Sequence, residues 1–153
     1  MRRSRLFSTI QLVLAFIGAG IAGLLYWAHK ADVDLPCTSG NACDLVWASH
    51  WSHIAGIPLS LIGFLAYSTL AVLAVSKLNS EGSFTDKLRA VMLVLASGGV
   101  CYSWYLQYVS HVFIGVICPY CMTSAITMTL MFLSLVIETT GQTNSASQAP
   151  VPT

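Results

Sequence analysis

Four of the five cysteines in this 153-residue chain fall into two close pairs. Cys37 and Cys43 are separated by Thr-Ser-Gly-Asn-Ala, and Cys118 and Cys121 enclose a Pro-Tyr dipeptide. Paired thiols can close a disulfide, contribute ligands to a metal site or exchange electrons with another dithiol. The sequence therefore indicates a function that depends on thiols, and the secondary structure predicted around the cysteines helps to distinguish these three roles.

The Cys-Pro-Tyr-Cys segment has the form of a helix start. Proline suits the first helical position, so Pro119 makes Cys118 the N-cap and Cys121 the third residue of the helix. The partial positive charge at a helix N-terminus stabilises a thiolate, and we expect it to lower the pKa of Cys118. A thiol of low pKa is a good leaving group in disulfide exchange, which favours redox catalysis over a static crosslink.

Two structural alternatives use the same residues. Four cysteines can hold a structural zinc ion, although this spacing matches no usual zinc ribbon. Cys37 and Cys43 can also form a disulfide whose only role is to stabilise the loop. The second pair at a helix start argues against both alternatives. Cys101 has no partner by spacing, and we expect it to be a small packing residue.

The composition places these cysteines in a membrane protein. Hydrophobic residues make up 56% of the chain and charged residues only 8%, whereas a soluble domain has about 25% charged residues. The net charge of +1 provides no electrostatic attraction for nucleic acid.

Four segments contain no Asp, Glu, Lys or Arg and are 20 to 23 residues long, about the length that a helix needs to cross the hydrocarbon core. They are Leu6–Ala28, Ile54–Val75, Ala90–Val109 and Cys118–Ile137. We predict an all-α, four-helix integral membrane domain over residues 1–140, with a tight turn near His111–Gly115. Residues 141–153 are rich in Ser, Thr, Gln and Pro, which predicts a disordered tail.

The basic residues predict the orientation. Six of the seven fall on one side of an even-numbered bundle and Lys30 alone on the other, so both termini should be cytoplasmic. Both cysteine pairs then face outwards, where disulfides persist.

The first apolar segment is too long for a typical signal-peptide core. Its Gly18–Gly23 stretch matches the dinucleotide fingerprint GxGxxG but lies inside a span, where Ala15, Ala19 and Gly23 form a ridge for close helix packing.

These landmarks together resemble the vitamin K epoxide reductase family, and its bacterial homologues in particular. The matching features are the loop pair with the Cys43…Ser49…Trp51 run, followed by Cys118-Pro-Tyr-Cys121 at the fourth helix. The resemblance covers roughly Leu12 to Ile137. The other bacterial disulfide-forming quinone reductase also has four helices, but there the Cys-x-x-Cys pair comes first.

The resemblance implies a role for each cysteine. Cys37 would exchange with a reduced thioredoxin-fold protein on the outward side, Cys43 would relay to Cys118, and Cys121 would deliver electrons to a quinone of the ubiquinone, menaquinone or vitamin K type. Ser49 matches a serine near the redox centre of the family. The expected activity is disulfide formation in secreted proteins, and the expected location is the bacterial inner membrane with the active site facing the periplasm or exterior.

Other residues leave alternatives open. Trp47 and Trp51 fit a short interfacial helix, which either caps the quinone pocket or anchors the loop to lipid. Asp44, His50 and His53 lie near the cysteines, where they can move protons or be plain solvated loop residues.

The chain also departs from the family. Animal enzymes that process vitamin K carry a tyrosine where this chain has Ala125. Many bacterial homologues continue into a fused thioredoxin-like domain, so we expect a separate partner protein here. The rival hypothesis is a non-enzymatic membrane protein whose disulfides are structural.

Overall fold

The computed structural model describes residues 2–31, 33, 48, 53–54, 56–80, 82–115 and 117–147. Four long helices dominate this part of the chain: α1 (Arg2–Lys30), α2 (Leu59–Asn79), α3 (Ser83–Val109) and α4 (Pro119–Ser147). Two short strands, β1 (His53–Ile54) and β2 (Ile57–Pro58), pair antiparallel just before α2. The predicted all-α four-helix architecture is confirmed.

All four helices are long and apolar enough to cross a membrane, over Arg5–Lys30, Leu59–Asn79, Ser83–Phe113 and Pro119–Gly141. A spanning segment must satisfy its backbone hydrogen bonds internally, and an α-helix does so. The chain is therefore an integral membrane protein.

Several helix ends differ from the sequence expectation. The uncharged segment starts at Ile54, but Gly56 and Pro58 predict the start of the second helix, and the helix does begin at Leu59 with Pro58 as its N-cap. Ile54 instead pairs with Ile57 around Gly56, whose positive φ of 81° suits glycine. The third helix begins at Ser83, ahead of the predicted Ala90. Charged residues had marked the predicted ends, but a helix can continue past the apolar segment that the charges delimit.

The last two connections also differ in detail. The turn predicted near His111–Gly115 is a π-helical turn over Ser110–Ile114 that continues α3, and it ends at Gly115 in the left-handed conformation (φ 74°). Helix α4 continues to Ser147, beyond the boundary expected at residue 140. The remaining six residues of the expected tail lie outside the described part of the chain.

The core lies where small residues let the helices approach. Ala15 of α1 is fully buried, and a side chain at Gly18 would overlap the ring of Tyr67 from α2. At Gly23 an added Cβ would lie 3.3 Å from the ring of Phe64. The GxGxxG stretch is thus a helix-packing surface within α1, as predicted. Cys101 is exposed on α3, so the expectation that it packs in the bundle is wrong.

Toward the end of the bundle that carries the N-terminus, one polar side chain from each helix enters a buried network. Lys77 of α2 forms an ion pair with Glu138 of α4 and donates to Gln11 Oε1 of α1 at 3.1 Å. Arg89 Nη2 of α3 lies 3.2 Å from Glu138 Oε1, and its Nη1 reaches Asp86. The side chains of Lys77 and Glu138 are 0% and 3% exposed. Lys77 and Arg89 lie inside α2 and α3, outside the uncharged segments of the sequence, and both pair there with Glu138.

We expect Glu138→Ala to lower the free energy of unfolding by about 3–5 kcal/mol, because it leaves Lys77 and Arg89 buried without their carboxylate. The matched control is Asp86→Ala, which removes an Arg89 partner whose side chain is 71% exposed. That pair should contribute less than about 1 kcal/mol. Unfolding by denaturing detergent in bicelles measures both, and equal losses would contradict the assignment.

Candidate functional site

The site begins at the first turn of α4. Cys118 directly precedes Pro119, and its carbonyl accepts the N–H of Met122 at 3.0 Å, the first hydrogen bond of the helix. The backbone N–H of Cys121 points at Cys118 Sγ, 3.5 Å away. Cys118 is therefore the N-cap and Cys121 the third helical residue, as the proline predicted. Both side chains are free thiols in this structure.

The Cys118 thiol is set up to ionise. A hydrogen bond from the Cys121 thiol lowers the pKa of Cys118 to about 7, assisted by the backbone N–H groups of Cys121 and Tyr120 and opposed by burial. From the sequence, the helix N-terminus alone is expected to cause this lowering of the pKa. The structure adds the neighbouring thiol as the larger cause. A buried nucleophilic thiolate inside a membrane protein is unusual enough to indicate a functional group.

The two cysteines open onto an interior cavity of about 230 Å³ between the four helices. The surface of its walls is mostly apolar, and no carboxylate or ammonium group from the described residues lines it. Its polar lining residues are His29, Ser60, Tyr67, Tyr102, Ser103, Gln107, Ser110, Tyr120 and Ser124. An apolar chamber with a few polar groups beside a reactive thiol is typical of a small-molecule site.

Some of these polar groups are held by neighbours within the bundle. The Tyr67 hydroxyl donates to the Ser124 carbonyl at 2.8 Å, joining α2 to α4. Gln107 Nε2 donates to Met122 Sδ at 3.2 Å, joining α3 to α4. Ser60 differs, because its buried Oγ has no hydrogen-bond partner within the described residues. Ser60 therefore has hydrogen-bonding capacity to offer a bound molecule.

The predicted site residues divide into two groups. Cys118 and Cys121 lie together at the cavity, in agreement with the prediction. Cys37, Cys43, Trp47, Ser49 and Trp51 lie outside the described residues, so their predicted roles stay predictions. Asp44 and His50 are outside as well. His53 is described in β1 and is not among the residues that line the cavity.

The other cavity residues are not among the predicted site residues, although their spacing along the helices could have indicated them. Ser60, Gly63 and Tyr67 follow an i, i+3, i+7 spacing on α2, and Cys121, Ser124 and Met128 follow the same spacing on α4. Residues at this spacing share one helix face. The helix face that carries Cys121 therefore also carries Ser124 and Met128, which line the chamber.

Four spanning helices around a chamber with a reactive dithiol define a class, the integral membrane proteins with a thiol redox site in the bundle. The sequence model of the Vitamin K epoxide reductase family matches residues 9–136, which is most of the chain. The chain belongs to this family, and the protein is accordingly a membrane thiol oxidoreductase. The suspected family resemblance is confirmed, and membership argues against the rival hypothesis of purely structural disulfides.

The hydrogen bond from Cys121 should be visible in the titration of Cys118. With Cys37, Cys43 and Cys101 replaced by Ala, the thiolate ultraviolet absorbance should rise with a midpoint near pH 7. Cys121→Ala removes the largest stabilising interaction, so the midpoint should move upwards towards the ordinary value of about 8.5. Subtracting the spectrum of the Cys118→Ser variant assigns the signal. A parent midpoint at the ordinary value, unmoved by Cys121→Ala, would refute this account of the thiolate.

Proposed function

We propose that this protein passes two electrons from a reduced thioredoxin-fold protein to a membrane quinone and thereby drives disulfide formation in secreted proteins. Cys37 exchanges with the partner, Cys43 relays to Cys118, and the Cys118–Cys121 dithiol reduces the quinone. The observation that carries the proposal is the position of this dithiol, at a helix start and on the wall of a largely apolar chamber between four membrane-spanning helices.

The chamber fits a quinone head group in its chemistry. A quinone is a flat, largely apolar ring with two carbonyl oxygens, which accept hydrogen bonds. The mostly apolar walls suit the ring, and the buried Ser60 hydroxyl, which has no partner among the described residues, can donate to a carbonyl. When bound, the quinone supplies the capacity to accept two electrons. The protein positions the two thiols beside the bound ring.

The path through the cysteines follows from thiol exchange. Oxidation of Cys118 and Cys121 forms their disulfide and releases two electrons. Attack of the Cys43 thiolate on Cys118 then forms a Cys43–Cys118 mixed disulfide and releases Cys121 as a thiolate. Cys37 attacks Cys43, which completes the loop disulfide and releases reduced Cys118, and the partner dithiol reduces the loop disulfide in turn. Each 30 mV by which the quinone is the stronger oxidant adds about 1.4 kcal/mol, so a gap of ~100 mV makes transfer effectively one-way.

The proposal includes an orientation and a setting. The six-to-one division of basic residues supports cytoplasmic termini, with the start of α4 on the periplasmic or exterior side of a bacterial inner membrane. Trp47 and Trp51 of the outward loop are proposed to cap the quinone pocket, and Ser49 is proposed to lie near the redox centre. Ala125 is fully buried and carries no hydroxyl where the animal enzymes have tyrosine. We therefore propose a quinone rather than an epoxide as the acceptor.

The purified protein in nanodiscs should reduce menadione when it is supplied with a reduced thioredoxin-fold protein. Cys121→Ser should abolish turnover, because Cys118 then has no thiol with which to close its disulfide. When the loop pair of this variant is oxidised, the Cys118 thiolate should attack Cys43 and accumulate a Cys43–Cys118 disulfide, because no Cys121 thiol is present to displace Cys43. Cys101→Ala is the control and should retain activity, since Cys101 is exposed on the outer face of α3. Non-reducing peptide mapping identifies the bridge, and a Cys37–Cys118 bridge would reverse the assigned shuttle roles.

The partner assignment is tested by trapping. Exchange passes through a mixed disulfide, so reduced Cys43→Ala is incubated with a partner that carries a single active-site cysteine, activated as a thiopyridyl disulfide. The Cys37 thiolate should displace thiopyridone and accumulate a covalent complex that no Cys43 thiol can resolve. Cys37→Ala serves as the matched control, and we expect it to lower the yield of that covalent complex. Failure to trap any thioredoxin-fold protein from the same compartment would refute this partner class while leaving menadione reduction by a chemical dithiol intact.

A further inference from the structure

Reduction of a quinone requires protons as well as electrons, and the described chamber has few groups that can supply them. Two electrons and two protons convert the quinone to the hydroquinone. The Cys121 thiol carries one proton, but Cys118 is partly ionised near neutral pH and has then already lost its own. One proton must therefore come from another group or from water.

Among the described residues that line the cavity, His29 is the one imidazole, and Asp, Glu, Lys and Arg are absent there. The remaining titratable lining residues are tyrosines and the two cysteines. A tyrosine has an ordinary pKa of about 10, whereas imidazole gains and loses protons at physiological pH. Of the groups on these walls, the His29 ring is the one suited to repeated proton transfer.

The hydrogen bond of His29 defines which nitrogen can act. Its Nδ1 lies 2.7 Å from the carbonyl oxygen of Leu25, one helical turn earlier. A carbonyl oxygen only accepts hydrogen bonds, so Nδ1 holds a proton in this arrangement. In the neutral ring Nε2 then carries the lone pair, and it becomes an N–H donor when the ring takes up a second proton. The Leu25 bond fixes both the tautomer and the direction of the ring.

We propose that His29 is the proton donor to the electron acceptor in the cavity, acting through Nε2. This inference rests on the proposed quinone reduction and adds a residue to it. The Cys118 thiolate and the Cys121 thiol form their disulfide and give up two electrons and the Cys121 proton. Imidazolium His29 gives the second proton and becomes neutral. The acceptor gains two electrons and two protons, and water returns the proton to His29.

The decisive variant is His29→Asn. The Asn side-chain amide can replace Nδ1–H as the donor to Leu25, but it has no counterpart to Nε2. In a single turnover with menadione, the reduced variant should form the Cys118–Cys121 disulfide about 100-fold more slowly, in the range for loss of a general acid. Menadione affinity, measured by quenching of tryptophan fluorescence, should change little. His111→Asn is the matched control, because His111 is exposed and does not line the cavity.

A second measurement uses the unaltered chain and does not depend on activity. Nitrogen NMR of the histidine-labelled protein, with His29 assigned by the variant, should show Nδ1 protonated and Nε2 unprotonated in the neutral ring. Menadione should shift the Nε2 resonance of His29 and leave that of His111 in place. The opposite tautomer, or an Nε2 resonance indifferent to menadione, would overturn the proposal even if His29→Asn failed to fold.

The outcomes separate the two proposals. If the wild type forms its disulfide with menadione and His29→Asn does so within about 3-fold of that rate, the role of His29 is refuted and quinone reduction stands. If the variant loses rate and affinity together, His29 is a binding residue rather than a proton donor, which also refutes the inference. If the wild type does not react with menadione, both proposals fail.

Discussion

Lipid offers no hydrogen-bond partners, so polar groups inside this bundle depend on partners from a helix end or from another helix. The redox site uses a helix end. The first turn of α4 has backbone N–H groups without intrahelical partners, and Cys118 Sγ lies where the N–H of Cys121 reaches it. Burial alone would favour the neutral thiol, but these donors and the Cys121 thiol reverse that preference. The reactivity of the pair is thus a consequence of where the helix begins.

The charged network uses the other solution, partners from neighbouring helices. Glu138 forms ion pairs with Lys77 and Arg89, and the side-chain amide of Gln11 from α1 donates a hydrogen bond to the same carboxylate. Gln11 precedes His29 by 18 residues on the same helix, which corresponds to about 27 Å along its axis. Buried charges and reactive thiols therefore occupy opposite ends of the bundle. This separation keeps permanent charges away from the chamber and leaves its walls apolar.

The packing between the two polar regions relies on small residues and a few large ones. Ala15, Gly18 and Gly23 let α1 approach α2 closely, and the space is filled by aromatic rings of α2. One of them, Tyr67, also donates across the bundle to the Ser124 carbonyl of α4. Tyr67 also lines the cavity, so the same ring that fills the core forms part of the chamber wall.

The sequence by itself determined the class of this protein. Apolar length required four spanning helices, and the proline of Cys-Pro-Tyr-Cys placed the pair at a helix start, because both properties depend on neighbouring residues along the chain. Only the tertiary structure decided that His29 and Ser60 face the chamber, that Cys101 faces outwards, and that Glu138 is buried with two cations. Each depends on how a helix is rotated about its own axis. In a helix that is apolar on nearly every side, packing against the other three helices sets that rotation, and hydrophobic periodicity does not reveal it.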